Sequence, residues 1–203
     1  MYNLFMKRLI QTIKESKKAL KRKVKKSTLK NGFYMRGRYE ILSLEPKPAW
    51  MPMEQWLQLA RTGEPGDGVV KRRSGTYKNL IMLADDVGLN LFIQHMNGDT
   101  TFPLNIDNAS IGTGTTAPVS ADTDLETPVL ENIPRAIGEV TAANTWYSEW
   151  FITNDELPNG EYTEFGLKAG TQLFARSLIA SPTHTKEDNE DTLIVYTITV
   201  ANS

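Results

Sequence analysis

The sequence predicts a mainly β fold: an antiparallel β-sandwich or small barrel with a long N-terminal amphipathic helix and one or two short helices. Three observations lead to this prediction. Short apolar and aromatic runs follow one another from Asn105 onward and are separated by turn residues. The last run, TLIVYTITV, alternates with a period of two. The first 31 residues instead repeat apolar side chains near a period of 3.6.

Composition indicates a chain that folds and that works without sulfur chemistry. Of its 203 residues 40% are hydrophobic and 9% aromatic, which is ordinary for a globular protein and too much for intrinsic disorder. The sequence has no cysteine, so disulfides, thiolate metal sites and cysteine nucleophiles are excluded. It also has no apolar run near the roughly 20 residues that span a bilayer.

The net charge of −1 conceals a strong segregation of charge along the chain. Residues 1–38 hold 13 Lys and Arg residues and a single acid, Glu15, which gives that part +12. The remaining 10 bases and 23 acids give residues 39–203 a charge of −13. Such separation indicates contact with an acidic partner, which could be nucleic acid, an anionic membrane or the acidic body of another copy.

Residues 1–31 are predicted to form a basic amphipathic helical arm that ends at Asn31-Gly32, a pair suited to a left-handed cap. Its apolar stripe weakens after Ile13, so we expect the arm to dock outside the core of its own domain. Docking on another protein is favoured, nucleic acid is an alternative and a membrane is the least favoured partner. The predicted partner-binding residues are Phe5, Leu9, Ile13, Lys17, Lys18, Lys21 and Lys25.

Residues 32–203 are predicted to form one β-rich domain. GFYMRGRYEILSL favours a strand, and short helices are predicted near 52–62, between Pro52 and Gly63, and near 85–96. The further predicted strands are NIDNASI, IPRAIGEVTAA, NTWYSEWFIT, EYTEFGLKAG, QLFARSLIA and TLIVYTITV. In the last strand the face with Ile194, Tyr196, Ile198 and Val200 is expected to be buried.

The stretch ASIGTGTTAPVSADTDLETPV is predicted to be an ordered crossing between two parts of the β-rich domain. A phosphate-binding loop is not supported, because no lysine lies between Lys78 and Lys168 and Pro118 prevents a helix directly after the glycines. Gly112 and Gly114 are expected to adopt backbone conformations closed to other residues, and Pro118 is expected to stiffen the exit.

Residues that could support catalysis or bind metal are few. Asp122, Asp124 and Glu126 could ligate calcium, as could the cluster KEDNED, but neither has EF-hand spacing and turn capping is favoured. The chain has two histidines, His95 in a predicted helix and His184 in a predicted turn, and no Gly-x-Ser-x-Gly. We therefore expect no enzyme activity, catalytic residue, cofactor, metal or small-molecule substrate.

Four aromatic residues lie close together in NTWYSEWFIT. On one strand Trp146 and Trp150 share a face, while Tyr147 and Phe151 share the other. One pair is expected to fill the core. The other pair could contact a neighbouring subunit or a carbohydrate, and Trp146 and Trp150 are the candidate interface aromatics.

Together, the Gly-Thr stretch, FITNDELPNGEYTEFGLKAGTQLFARSLI and the closing strand TLIVYTITV resemble a widespread group of tailed-bacteriophage structural proteins. That group has a Gly-Thr-Gly-Thr-Thr-x-Pro loop, an Asp-Thr-x-Leu stretch, a Glu-x-Gly-Leu strand, an LFAR strand and a β-rich end. The resemblance covers about residues 76–200 if YKNLIMLADDVGL is the group's Asn-Leu-Ile…Gly-Leu segment. The lysine-rich arm and the Trp50–Gly68 insertion depart from it.

The resemblance implies a non-enzymatic virion protein of the tail, neck or fibre attachment, located in the virion. Homo-oligomerisation and binding to other virion proteins are expected, because such parts repeat one interface many times. A head decoration protein or a carbohydrate-binding fibre component is one alternative. A peripheral binder of nucleic acid or anionic membrane that uses the basic arm is another.

Overall fold

The computed structural model describes residues 33–202. The predicted helical arm, with all seven of its candidate partner-binding residues, lies outside these described residues and stays a prediction. The mainly β prediction is confirmed, and the architecture is a curled antiparallel sheet that forms a half-barrel.

Twelve strands and two short helices make up the described part of the chain. The helices are α1 (Met53–Thr62) and α2 (Leu89–Met96). The strands are β1 (Phe33–Leu44), β2 (Val70–Arg73), β3 (Tyr77–Lys78), β4 (Leu80–Ile81), β5 (Ile106–Gly112), β6 (Pro128–Ala142), β7 (Thr145–Ile152), β8 (Gly160–Tyr162), β9 (Glu164–Ala169), β10 (Gln172–Leu178), β11 (His184–Lys186) and β12 (Asp191–Asn202). Neither helix has the length and apolar run needed to cross a membrane, a finding that covers residues 33–202.

The main sheet follows the order β2-β1-β12-β7-β6-β5-β9-β10-β4, and β8 pairs separately with β11. Strand β6 is long enough to pair with β5 along its first part and with β7 along its second part. Leu130 of β6 lies opposite Ile111 of β5, and Arg135 of β6 lies opposite Trp150 of β7. The short strands β3 and β4 pair with β1 and β10, respectively. The segment from Tyr77 to Ile81 therefore links strands near the two ends of the path.

The main core lies inside the curl of the sheet and is built around aromatic rings. Trp150 and Tyr196 are fully buried, and their rings meet edge to face with centroids 6.1 Å apart. Tyr39 and Phe165 pack against the same group with centroids 4.9 Å apart. Aromatic pairs at this spacing stabilise beyond the area that they bury. The core explains why aromatic and branched residues alternate along these strands.

Helix α1 covers the outer face of the same strands. The predicted helix at 52–62 is confirmed, and its buried side chains Trp56, Leu57 and Ala60 follow helical spacing. They pack on Phe151 and Leu193, which point away from the main core. The predicted alternation in β12 is therefore present, with Leu193 buried as well because α1 covers that end of the strand.

Helix α2 is shorter than its predicted range of 85–96. It begins at Leu89, because Asp86 and Gly88 have φ angles of 61° and 54°, which interrupt a right-handed helix. At Gly88 a side chain would also collide with the backbone of Met82. The segment before α2 is therefore a turn that the apolar pattern alone did not distinguish from helix.

Candidate functional site

The Gly-Thr stretch forms the crossing between β5 and β6 and is held against β9 by one carboxylate. Glu164, the first residue of β9, is fully buried. Its oxygens accept the backbone N–H groups of Gly114 at 3.0 Å, Glu126 at 3.0 Å and Thr127 at 2.6 Å. A single side chain therefore fixes both ends of the crossing, as a buried carboxylate with three backbone donors can.

Arg176 on β10 balances this buried charge. Its Nε lies 3.0 Å from Glu164 Oε2, and its Nη1 lies 2.7 Å from Asp122 in the crossing. Its Nη2 donates to the carbonyl of Thr116 at 3.2 Å. Burial alone would lower the pKa of Arg176, but its bonds with Asp122 and Glu164 outweigh burial and raise that pKa. We call Glu164, Arg176 and Asp122 the loop clasp.

Gly112 and Gly114 are required for a different reason from the one predicted. The expectation that they adopt conformations closed to other residues is wrong, since neither has a positive φ angle. A Cβ atom on Gly114 would lie 2.6 Å from Glu126 Cβ and from Glu164 Oε1, and one on Gly112 would collide with the carbonyl of Thr127. The glycines allow the crossing to approach the clasp closely, and Pro118 lies half-buried within it.

The acidic run of the crossing forms turn and ion-pair contacts, in agreement with the favoured interpretation. Its carboxylates bind as follows: Asp122 accepts the Val119 N–H at 3.0 Å, Asp124 lies 2.9 Å from Lys168 Nζ, and Glu126 accepts the Thr116 N–H at 2.7 Å. Within residues 33–202 no group of three or more His, Asp or Glu side chains could hold a metal ion.

The KEDNED cluster folds around a buried lysine. Lys186 Nζ donates to Asn154 Oδ1 at 2.8 Å, to Asn159 Oδ1 at 3.1 Å and to the carbonyl of Glu187 at 2.8 Å. The predicted turn around His184 is wrong, because His184–Lys186 form β11 on β8. Pairing with a strand that is distant in sequence orders this segment, which local turn residues do not reveal.

His184 gives the protein a predicted pH dependence. Burial, followed by the charges of Arg72 and Lys186, lowers the pKa of His184 to about 4. The unfolded chain takes up a proton near pH 6.5 and the folded chain does not, so stability is lost as pH falls from 6.5 towards 4. We expect a loss of about 3 kcal/mol, measured by urea unfolding at pH 7.5 and pH 4.

A His184→Gln variant should lose less stability than the wild type over this range. His95→Gln removes the other histidine of the chain and is the matched control, which should keep the full loss because His184 is still present. Equal pH dependence in the wild type and in His184→Gln would show that the imidazole is not responsible.

The structure separates the two candidate interface tryptophans. Trp150 is fully buried in the main core, so it is a packing residue and not a surface that a partner could reach. Trp146 is half-buried, and the Arg135 guanidinium lies over its ring at 5.8 Å from the centroid. On the other face Phe151 packs under α1, and the Tyr147 hydroxyl donates to Glu149. Only Trp146 of the candidate pair remains accessible.

Trp146 lines a cavity of about 520 Å³. Its walls come from α2, β10, β12 and the loop before β5, and they are mostly apolar. Arg135 lies at its edge, with Nη1 bonded to the carbonyl of Ile106 at 2.6 Å. Strand alternation placed Trp146 and Trp150 on one face, but no sequence signal connected them to Arg135 or to α2.

Comparison with protein-family models, with curated proteins and with solved structures gives no match for this chain. The functional conclusion therefore depends on the residues themselves.

Proposed function

We propose that the chain is a non-enzymatic structural protein of a bacteriophage virion, a tail, neck or fibre-attachment component that assembles through its β-rich domain and an N-terminal anchoring helix. The observation behind this proposal is the loop clasp. The Asp-Thr-x-Leu stretch supplies Asp122, the Glu-x-Gly-Leu strand supplies Glu164 and the LFAR strand supplies Arg176. Three segments that resemble the phage proteins thus supply the charged groups of one structural unit.

The ion pairs that buried charged side chains form in the described residues support a structural role. The buried Glu149 pairs with Arg61 of α1, the buried Lys168 and Arg176 pair with Asp124 and Asp122 of the crossing, and the buried Glu164 pairs with Arg176. Groups engaged in this way hold a shape, whereas catalysis requires polar groups that converge on a substrate. The proposal therefore assigns the protein to assembly and localises it to the virion.

Exposed apolar side chains indicate where a neighbouring subunit could pack. Four large ones lie within residues 80–96, and the two most exposed of these are Ile93 at 61% and Met96 at 85% on α2. Side chains of this kind are stabilised when a partner removes them from water. We assign this α2 surface to contact with another copy of the chain, as expected for a part that repeats one interface.

The assembly proposal predicts a concentration-dependent oligomer of the full chain in light scattering. The double variant Ile93→Glu, Met96→Glu should weaken assembly at least tenfold, because burying each unpaired charge costs about 2 kcal/mol or more. Leu59→Glu on α1, which changes an exposed apolar residue on the other helix, is the matched control and should assemble as the wild type does. A full chain that stays monomeric at all concentrations would remove the support for the proposal.

A further inference from the structure

The cavity beside Trp146 lies at one end of the half-barrel, where several strands begin or end. Met35 lies near the start of β1, Trp146 near the start of β7 and Ile198 near the end of β12. Phe92 of α2 and Phe174 of β10 complete the apolar wall. A volume of about 520 Å³ falls within the range of about 300–1,000 Å³ typical of small-molecule sites, which are often found at the mouths of β-barrels.

One cation stands at this apolar wall without a carboxylate partner among the described side chains. In the part of the chain that the structure describes, Arg135 bonds only to neutral oxygens, the carbonyl of Ile106 at 2.6 Å and Asn105 Oδ1 at 3.3 Å, and both bonds use Nη1. Its Nε and Nη2 therefore bind no described acceptor. By contrast, Arg61 and Arg176 are paired with buried acids, and Lys186 donates to three neutral oxygens that surround its ammonium group.

The geometry also fixes the position of the guanidinium. The Ile106 carbonyl and the Trp146 ring hold Arg135 from two sides, so little side-chain freedom remains to be lost when an anion binds. A guanidinium prefers carboxylate oxygens to neutral ones, because charge-assisted hydrogen bonds are about twice as strong. The site combines an apolar wall with a preorganised cation at its edge.

We propose that this cavity binds a small amphiphilic carboxylate, with its hydrocarbon body against Phe92, Trp146 and Phe174 and its carboxylate on Arg135. The charge complementarity with Arg135 selects an acid over a neutral apolar molecule. This ligand site goes beyond the proposed assembly function and does not depend on it. It is also compatible with the expected lack of a substrate, since binding involves no turnover.

Decanoate and decanol, both used below their aggregation concentrations, test the proposal by calorimetric titration of the full chain. Wild-type protein should bind decanoate at one site and at least about tenfold more tightly than decanol. Arg135→Gln should lose about tenfold in decanoate affinity and keep its decanol affinity. Arg38→Gln, the same substitution at an exposed position of β1 away from the cavity, should bind both as the wild type does.

Two results would overturn the proposal. The first is no decanoate binding, or equal affinity for decanoate and decanol in the wild type, a comparison that holds even if Arg135→Gln fails to fold. The second is a decanoate affinity that a folded Arg135→Gln variant leaves unchanged, which would place the bound acid elsewhere on the chain.

Discussion

Glu164→Gln is expected to lower the free energy of unfolding by about 3 kcal/mol or more. Glu164 is fully buried and accepts three backbone N–H groups in addition to Arg176. A glutamine offers one acceptor oxygen, and its NH₂ group would face either a backbone donor or the guanidinium. The variant leaves a buried N–H unsatisfied and removes the charge that balances Arg176.

Urea unfolding of the full chain measures this loss. Glu161→Gln is the matched control, since Glu161 lies exposed on β8 and should change stability by less than about 0.5 kcal/mol. Because Glu164 fixes both ends of the crossing, thermolysin should also cleave residues 113–127 faster in Glu164→Gln than in the wild type. A stability equal to that of the control would mean that other contacts hold the crossing.

The strands were predictable because the alternation of apolar and polar side chains is visible within one short segment of sequence. In β12 the residues Ile194, Tyr196 and Ile198 alternate with less buried ones, as the period of two predicts. Helix α1 was equally clear, since Pro52 and Gly63 bracket a run whose apolar residues share one face. Where side-chain spacing alone decides the element, the sequence was sufficient.

The errors have a common physical cause, which is contact between segments distant in sequence. The glycines of the crossing are needed because Glu164, 50 residues beyond Gly114, approaches their backbone. His184 lies in a strand because β8 pairs with it. Trp150 is buried because the curl of the sheet surrounds it with Phe165 and Tyr196.

The candidate site was predicted less well than the fold for the same reason. The sequence marks the acidic run but not its partners, Arg176 and Lys168. No sequence signal marks Arg135, because its role depends on the neutral carbonyl that it binds and on the ring of Trp146. A sequence pattern can identify an ionisable residue but cannot show which neighbour satisfies it.

The second large effect concerns the ion pair that ties α1 to the sheet. Glu149 on β7 is fully buried, and Arg61 in the last turn of α1 reaches it with Nε at 2.5 Å and Nη2 at 3.0 Å. The side chain of Arg61 remains 33% exposed. Burial and the bond to Glu149 raise the pKa of Tyr147, so its hydroxyl keeps its proton and donates to that carboxylate.

The two partners of this pair should therefore differ sharply in the effect of their removal. Arg61→Ala leaves a buried carboxylate with Tyr147 as its remaining side-chain donor within residues 33–202, and we expect a loss of about 3 to 5 kcal/mol in the free energy of unfolding. Glu149→Gln should cost only about 1 to 2 kcal/mol, because Arg61 can turn to solvent. Urea unfolding measures both, with Arg38→Ala, at an exposed position of β1, as the control. The double variant Arg61→Met, Glu149→Leu should recover most of the loss, since an apolar pair leaves no buried charge. If Arg61→Ala costs no more than Glu149→Gln, the carboxylate is not held buried by this pair.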